Sequence, residues 1–332
     1  MTGQPPAAGS AANAAGKLNE PHEPELDPPF DVVEPAVLAS PLVFSSPHSG
    51  DAYPRRFLDR ARLSAATLRR TEDAFVDALF SGVRSLGAPL LRARFPRAYL
   101  DLNREPYELD PRMFDGRLPL SANTRSMRVA GGLGTIPRVA GQAQEIYAAR
   151  LPVEEAIGRI EKLYKPYHAR LGELLARAQR NFGVAVLVDC HSMPSGASHA
   201  GVIPTSTIPS SLPFAPSGHE ARPKADFVVG DRHGTSCAAV LVEVVESELR
   251  RCGYLVQRNK PYAGGFITEH YGVPASHCHA MQIEVSRALY MDEQSVTRNE
   301  RFAEVSAALT KVAAALAAAA AALPSMHRAA AE

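Results

Sequence analysis

The stretch that most constrains the fold is residues 184–192, an aliphatic run that ends in four reactive side chains. It begins with the apolar residues 184–188 (VAVLV) and ends with an acid, a thiol, an imidazole and a hydroxyl at residues 189–192 (DCHS). Such a run is typical of a strand that is buried on both faces of a parallel sheet. Because ligands of open α/β folds bind beyond the carboxyl ends of strands, the run predicts a site at this edge. The alternative is that Asp189 and His191 only terminate the strand.

Further apolar segments alternate with amphipathic ones along the chain. Strands are predicted at residues 42–44, 90–94, 98–102, 227–230, 254–257 and 281–285. Helices are predicted at residues 64–86, 151–182, 238–252 and 295–320, with Pro166 kinking or dividing the second of them. This alternation predicts an α/β fold with a mixed, mainly parallel sheet and helices on both faces.

The composition predicts one folded body between two tails. Residues 1–35 contain scarcely any large apolar side chain and are expected to be disordered. A single catalytic domain is expected over residues 36–322, followed by a C-terminal tail at 323–332. Within the domain, residues 110–150 are rich in Gly, Pro and Arg, which indicates a long excursion that forms a wall or lid of the site.

Charge and cysteine content limit the classes of partner. The net charge is +1, with 36 basic and 35 acidic residues, so we expect neither nucleic acid nor an anionic membrane as a partner. The four cysteines are widely spaced, which favours reduced thiols and a cytoplasmic location. We expect no signal peptide and no membrane span, since the Ala-rich stretch 312–322 is short and weakly hydrophobic and is typical of the end of a surface helix. Nothing in the sequence indicates the oligomeric state.

Three polar residues near predicted strand ends have the composition of a metal site. They are His48 in the loop after the first strand, Asp73 in the first helix and His191. Two imidazoles and one carboxylate, with a fourth position left for water, are common at catalytic zinc centres. Each residue also has a structural interpretation: His48 could order a turn, Asp73 could pair with Arg69 or Arg70, and His191 could be a buried imidazole. The sequence contains no HExxH motif to decide between these interpretations.

Seven short motifs, in order, resemble the N-formylglutamate amidohydrolase family. They are SPHSG at 46–50, EDAFVD at 72–77, DLNR at 101–104, DCHSM at 189–193, GDRHGTS at 230–236, GGFI at 264–267 and QIEVSR at 282–287. The resemblance implies a fold distantly related to the zinc carboxypeptidases, of the phosphorylase/hydrolase-like type. It also implies a zinc-dependent cleavage of N-formyl-L-glutamate to formate and L-glutamate, as part of histidine degradation.

The resemblance supports particular metal ligands. His48 and His191 match positions that bind the metal. The third ligand is an acid, for which Asp73 is favoured, Glu72 beside it is the second choice, and Asp51, three residues after His48, is the third.

The resemblance also implies catalytic and substrate-binding residues. Glu284 occupies the last-strand position where the carboxypeptidase relatives keep their general base. Asn103 and Arg104 resemble the Asn-Arg pair that holds a substrate carboxylate in those relatives. Arg232 and Arg287 are candidates for binding the glutamate side chain, although Arg287 could instead be an ion-pair partner of Glu284.

Two other functions remain open at this point. One is hydrolysis of a related N-acyl amino acid or of a peptidoglycan amide on the same fold. The other is a non-catalytic metal- or ligand-binding protein, which the presence of a general base beside the ligands disfavours.

Overall fold

A seven-stranded sheet forms the centre of the computed structural model, which describes residues 23–196 and 224–323. Its strands are β1 (Phe30–Val33), β2 (Leu42–Ser46), β3 (Leu90–Ala93), β4 (Ala185–Met193), β5 (Phe227–Gly230), β6 (Val256–Arg258) and β7 (Cys278–Ser286). They lie in the order β1-β3-β2-β4-β7-β5-β6. The strand predicted at residues 184–192 is therefore β4, in the middle of the sheet, and all of its residues are buried.

The sheet is mixed and mainly parallel, as predicted. β2 is parallel to both β3 and β4, β4 is parallel to β7, and β5 is parallel to β6. β1 and β3 are antiparallel, as are β5 and β7. Because β2, β4 and β7 run in the same direction, their carboxyl ends meet at one edge, where ligands of α/β proteins bind.

Helices cover both faces of the sheet. They are α1 (Arg55–Arg60), α2 (Ala65–Arg69), α3 (Val76–Leu79), α4 (Met127–Ala130), α5 (Val153–Arg159), α6 (Lys165–Phe182), α7 (Ala239–Arg251), α8 (Phe266–Tyr271) and α9 (Phe302–Ala321). Phe44 and Val186 pack in the core under α3, α7 and α9. Val43 and Leu187, which point the other way, pack in the core with α5 and α6. This alternation is the two-residue period of a strand buried on both faces.

The helix α9 is the one described helix long and apolar enough to cross a membrane, judged by length and composition. Core helices pass the same test. Val305, Leu309, Val312 and Leu316 lie on its buried side and belong to the core that α7 also lines. The Ala-rich second half of α9 is thus packed against the protein along one side, and the helix begins later than the predicted residue 295.

The helix predicted at residues 64–86 is wrong as a single element. Ser64 caps α2 by accepting a hydrogen bond from the Thr67 amide at 3.2 Å, but the helix ends at Arg69. The Asp73 amide donates to the His48 carbonyl at 3.0 Å instead of continuing the helix. Phe75 then takes a left-handed φ of 64°, which no regular α-helix contains. Asp73 therefore lies in a turn between α2 and α3, and a 3₁₀ segment at residues 81–86 completes the region.

One other predicted strand is absent, and one predicted helix is divided as expected. Residues 98–102 form turns rather than a strand. The helix predicted at 151–182 is divided: α5 passes into a π-helical turn, Ile160–Tyr164, before α6 begins. Pro166 lacks the amide hydrogen that an α-helix would use at this point, so the predicted division is explained by its missing donor.

The expected disordered tail at residues 1–35 is wrong for its second part. Pro24–Leu26 is a 3₁₀ turn with Leu26 buried, and β1 pairs with β3. Phe30 packs edge-on against Tyr167 of α6, with ring centroids 5.7 Å apart. The folded domain therefore begins before residue 36. Residues 1–22, 197–223 and 324–332 lie outside the described residues, so the expectations for both chain ends are untested there.

The excursion at residues 110–150 contains short elements of its own. Phe114–Asp115 pairs with Leu151–Pro152, and Val139–Ala140 pairs with Gln144–Glu145. The carbonyl of Thr135 accepts a hydrogen bond from the amide of Asp101 at 2.8 Å. The excursion therefore contacts the 101–104 segment, which carries candidate site residues.

Candidate metal centre and active site

His48, Asp73 and His191 meet at the carboxyl edge of the sheet. His48 follows β2, His191 lies near the end of β4, and Asp73 occupies the turn after α2. The Asp73 Oδ2 atom is 2.9 Å from His191 Nδ1 and 3.4 Å from His48 Nδ1. All three side chains are buried, and their potential ligand atoms lie within 4.8 Å of one another. This group could hold a metal ion.

Two buried carboxylates orient the imidazoles of this cluster. His48 Nε2 is 2.8 Å from Asp101 Oδ1, and His191 Nε2 is 2.8 Å from Asp189 Oδ2. A carboxylate can only accept, so each imidazole carries a hydrogen on Nε2, and its Nδ1 faces Asp73. Carboxylates that fix the tautomer of metal-binding imidazoles in this way are a common outer layer of metal sites.

His48 Nδ1 is a buried nitrogen without a hydrogen-bond partner among the described residues. Leaving a buried acceptor unpaired costs free energy, so such an atom requires an explanation. A metal ion between His48, Asp73 and His191 would provide the missing partner. The residues present therefore fit a metal ion on both chemistry and geometry.

The electrostatics around Asp73 keep its carboxylate ionised. Burial alone would raise the pKa of Asp73, but the hydrogen bond from His191 and the nearby charges of Arg97 and His48 hold it well below its usual value. The other oxygen, Oδ1, accepts a hydrogen bond from Arg287 Nη2 at 3.1 Å. A negatively charged Asp73 is the form that binds a cation.

His191 is charged in the absence of a metal. Burial alone would lower the pKa of His191, but the charge and hydrogen bond of Asp189 raise it well above its usual value. A metal ion binds the neutral imidazole, so binding here would release a proton.

Glu284 stands beside the cluster on the neighbouring strand. It is the register partner of His191 across the parallel β4–β7 pair. Burial raises the pKa of Glu284 to about 7, against the opposing effect of the His191 charge. Its Oε1 accepts a hydrogen bond from Gln282 Nε2 at 2.7 Å. A carboxyl group with a pKa near neutrality is suited to transferring protons.

The two alternative acids lie apart from the metal ligands. Glu72 Oε1 accepts a hydrogen bond from the Tyr53 hydroxyl at 2.6 Å, and burial raises the pKa of Glu72 to about 7. Asp51 is exposed. Among the described residues, the group that could hold a metal ion contains Asp73 and neither of these two.

Asn103 and Arg104 lie next to the cluster. Asn103 Nδ2 donates to Asp189 Oδ2 at 3.2 Å, and its Oδ1 accepts the amide of Ile267 at 2.8 Å. Arg104 Nε donates to the Leu133 carbonyl at 3.0 Å, and Nη1 donates to the Asn103 carbonyl at 2.7 Å. The Arg104 Nη2 atom is 3.9 Å from Asp101 Oδ2, which is beyond hydrogen-bond distance. The hydrogens on Nη2 are therefore available to a ligand.

The structure places Arg287 and Arg232 in different surroundings. Arg287 binds Ser192 and Asp73 through Nε and Nη2 at 3.1 Å each. Its ion-pair partner is thus Asp73 of the metal cluster. Arg232 has a positive φ of 53° and pairs with the exposed Glu269 at 2.8 Å.

One cation of the site, Arg97, is not among the residues that the sequence predicts. Its Nη2 donates to Asp101 Oδ2 at 2.8 Å, and its Nη1 is 3.9 Å from Asp73 Oδ1. The only signal in the sequence is the four-residue separation of Arg97 from Asp101, which is too common to single out a residue.

Tyr262 is a second residue near the site that the sequence does not predict. It packs against Met193 and Val228, and Val228 is the register partner of Glu284 on the other side of β7. Burial raises the pKa of Tyr262, and the negative charge of Glu284 adds to this effect. The loop that carries this phenol has no periodic pattern that would have predicted its position.

Known proteins are similar to this chain over most of its described length. The model of the N-formylglutamate amidohydrolase family matches residues 40–291. The N-formylglutamate deformylase of Pseudomonas putida is 30% identical over 281 residues, covering 82% of this chain and 90% of that protein. The N-formylglutamate deformylase of Pseudomonas aeruginosa is 30% identical over 260 residues, covering 77% and 84%. The crystal structure of N-formylglutamate amidohydrolase from Ralstonia eutropha JMP134 has a TM-score of 0.78 and 39% identity, covering 87% of this chain and 97% of that one.

Proposed function

Since the chain belongs to the N-formylglutamate amidohydrolase family, we propose that it hydrolyses the formamide bond of N-formyl-L-glutamate to give formate and L-glutamate. One observation carries the proposal beyond family membership. The buried His48, Asp73 and His191 cluster lies beside Glu284, whose pKa is raised to about 7. A metal-binding group and a proton-transfer group at one edge of a sheet are the parts that hydrolysis of an unactivated amide requires.

His48 and His191, through Nδ1, and Asp73, through Oδ2, would hold the metal ion. Two imidazoles and one carboxylate favour zinc, which leaves a fourth position for water or substrate. A bound zinc ion would supply a water of lowered pKa and polarise the formyl oxygen. Asp101 and Asp189 keep both imidazoles in the tautomer that this role requires.

Glu284 is the proposed general base and acid. Its carboxylate takes the proton of the attacking water as the oxygen forms a bond to the formyl carbon. It then delivers this proton to the nitrogen as the C–N bond breaks, so that formate and the amine of glutamate leave. A pKa of about 7 suits Glu284 both to accept a proton as the base and to return it as the acid near neutral pH.

The substrate has two carboxylates, and the site offers cations for both. We propose that Arg104 binds the α-carboxylate, with the uncommitted hydrogens of Nη2, and that Asn103 helps to fix this end. Arg97, Arg232 and Arg287 are the candidates for the side-chain carboxylate. Arg97 is favoured because its Nη1 lies beside the metal cluster, at 3.9 Å from Asp73, beyond hydrogen-bond distance.

We also propose that the chain acts in the cytoplasm. The free cysteines Cys190, Cys237, Cys252 and Cys278 are consistent with reduced thiols in the cytoplasm. Formation of glutamate from its formyl derivative fits the last step of a histidine-degradation route, which the family resemblance implies.

The test is hydrolysis of a small panel of substrates by the purified, zinc-loaded chain. His191→Ala, which lacks one proposed metal ligand, is measured beside it. The panel contains N-formyl-L-glutamate, N-acetyl-L-glutamate and N-formylnorleucine. The kcat/KM for amine release by the unmutated chain should be at least about 100-fold higher for N-formyl-L-glutamate than for the others, because the acetyl compound carries an extra methyl group at the reacting carbon and N-formylnorleucine lacks the side-chain carboxylate. A higher kcat/KM for the acetyl compound would assign a different N-acyl substrate, and no amine release from any of them would reject the proposed reaction.

A further inference from the structure

Two side chains of one helical turn bind the backbone on both sides of Asn103. The Tyr164 hydroxyl donates to the carbonyl of Arg104 at 2.6 Å. The Nε2 atom of His168 is 2.9 Å from the carbonyl of Leu102. Residues 164 and 168 are four apart, so they lie on the same face of the helix and can reach neighbouring carbonyls together.

The segment between these carbonyls carries the side chain that reaches the metal cluster. Asn103 donates to Asp189, the carboxylate that orients His191, and accepts the amide of Ile267 in α8. Space around Asn103 is tight: a Cβ atom at Gly265 would lie 2.4 Å from its Oδ1 and Nδ2 atoms. A small movement of the 102–104 backbone would therefore displace Asn103 and Arg104 together.

The surroundings of His168 hold its ring in one orientation and one tautomer. A carbonyl only accepts, so His168 carries hydrogen on Nε2, and Nδ1 is 3.0 Å from the Tyr271 hydroxyl. The ring is stacked between Tyr164, at 4.2 Å, and Tyr271, at 5.9 Å between centroids. Burial lowers the pKa of His168 to about 4, so the imidazole is neutral at neutral pH. This arrangement leaves the ring no acid–base role and gives it a positioning role.

The local helix geometry is irregular at the same point. Tyr164 is the last residue of the π-helical turn, Ile160–Tyr164, and α6 begins immediately after it. A π turn shifts the side chains that follow relative to those that precede it, and such turns are frequent at functional sites. The irregular turn thus ends at the residue that binds the Arg104 carbonyl.

We propose that Tyr164 and His168 form a carbonyl clamp, which holds the carbonyls of Arg104 and Leu102 and so positions Asn103 and Arg104 for the substrate carboxylate. Both residues are positioning residues, because they contact neither the metal ligands nor the reacting bond. The inference rests on the proposed function, in which Asn103 and Arg104 bind substrate.

The test compares Tyr164→Phe and His168→Leu, which remove one donor each, with Tyr107→Phe as a matched control. Tyr107 donates to Glu161 Oε1 at the exposed side of the helix and makes no hydrogen bond to the 101–104 segment. Each clamp variant should raise KM for N-formyl-L-glutamate about 5- to 100-fold, the range expected for one buried acceptor left unpaired, with a smaller change in kcat. The zinc content should stay at the level of the control.

His168→Gln is the conservative variant, because the glutamine amide can donate to the Leu102 carbonyl from nearly the same position as Nε2. It should return KM most of the way to the unmutated value. A KM in His168→Gln as high as that in His168→Leu would overturn the clamp, since ring packing alone would then explain the effect.

A second measurement does not depend on the substrate. Hydrogen exchange at the Ile267 amide reports on Asn103 directly, because that amide donates to Asn103 Oδ1. Exchange at Ile267 should quicken about tenfold in the clamp variants, while β4 amides such as that of Val186 keep their rates. Unchanged exchange at Ile267 in the clamp variants would overturn the clamp. If exchange at Ile267 quickens but the unmutated chain does not hydrolyse N-formyl-L-glutamate, the clamp stands and only the proposed substrate is rejected.

Discussion

Glu284 and His191 are register partners across the parallel strands β7 and β4, and both are buried at the carboxyl edge of the sheet. Two separate aliphatic runs in the sequence therefore end side by side, one in the His191 imidazole and the other in the Glu284 carboxyl group. In the proposed mechanism, this pairing would hold the proton acceptor at a fixed position relative to the metal. It also makes each residue part of the electrostatic surroundings of the other, since the His191 charge opposes the rise in the pKa of Glu284.

The change Glu284→Gln should abolish most catalysis without loss of the metal. Glutamine keeps the volume and can still contact Gln282, but it cannot accept a proton from water. We expect kcat to fall about 10²- to 10⁴-fold, as is typical when a general base is removed. Steady-state kinetics, with zinc content measured on the same samples, test this. A kcat within threefold of the unmutated value would assign the base to another residue.

The same substitution should change how the stability of the metal-free protein depends on pH. With a pKa of about 7 in the native state and 4.5 when unfolded, Glu284 binds a proton in the native state that the unfolded chain releases between these values. The free energy of unfolding therefore falls as pH rises through this window. The loss is on the order of 3 kcal/mol by pH 8, and Glu284→Gln should not show it.

Urea denaturation of the metal-free chains at pH 4.5 and pH 8 measures this difference. The variant should be the more stable protein at pH 8, and the gap should shrink at pH 4.5. An equal gap at both values would mean that Glu284 ionises normally in the native protein.

Substitution of the acids should identify the third metal ligand. Asp73→Asn keeps the shape of the side chain but removes the charge, and we expect it to lose at least about tenfold in zinc affinity, the scale seen when even an outer partner of a metal site is lost. Glu72→Gln and Asp51→Asn are the matched controls and should retain the metal. Metal content after dialysis against a zinc buffer checks this, and retention by Asp73→Asn with loss in either control would move the ligand to that residue.

The sequence predicted the central strands and the ends at which the site lies, because strands buried on both faces need continuous apolar runs. β4 and β7 were therefore recognisable, as were the polar residues at the ends of β2 and β4. The position of Asp73 in a turn could not be recognised. The helical spacing of the apolar residues Leu68, Phe75 and Leu79 continues through the break in the helix. Contacts of Asp73 with His48 and His191, which are distant in sequence, override that local pattern.

The parts of the site that escaped prediction lie on turns. Arg97 and Tyr262 follow no strand or helix period, and the strand predicted around Asp101, at residues 98–102, does not form. Asp101 belongs to a motif on which the family resemblance rests, but its role as the partner of His48 Nε2 appears only in three dimensions. Side chains on loops are positioned by long-range contacts, so their roles follow from the structure.

The N-terminal segment should contribute to stability, contrary to what composition suggested. Deletion of residues 1–33 removes β1 and the Phe30–Tyr167 contact, and exposes the edge strand β3. Loss of a partly buried aromatic contact and a strand should cost a few kcal/mol, seen as a fall of several degrees in Tm. Deletion of residues 1–22 is the control, because it leaves residues 23–33 in place. The difference in Tm between the two truncated chains is the contribution of residues 23–33, and an equal Tm would show that β1 contributes nothing.

The arginines should divide the recognition of the substrate between them. If Arg104 binds the α-carboxylate, N-formyl-L-glutamate should be hydrolysed much better than its α-amide. Removal of one partner of a buried, charge-assisted contact costs about 2–5 kcal/mol. This corresponds to a factor of roughly 30 to several thousand in kcat/KM. Equal rates on the acid and the α-amide would remove Arg104 from the substrate site.

Lysine variants then show which arginine binds which carboxylate of the substrate. Arg104→Lys should lose most of the preference for the α-acid, because an ammonium group cannot reproduce a two-point contact. It should keep the preference for N-formyl-L-glutamate over N-formylnorleucine, which a different cation provides. Arg97→Lys should show the reverse pattern, and Arg232→Lys, whose arginine pairs with Glu269, should show neither. Kinetics of the three variants on the acid, the α-amide and N-formylnorleucine give the assignment. Loss of side-chain preference in Arg232→Lys but not in Arg97→Lys would transfer that role to Arg232.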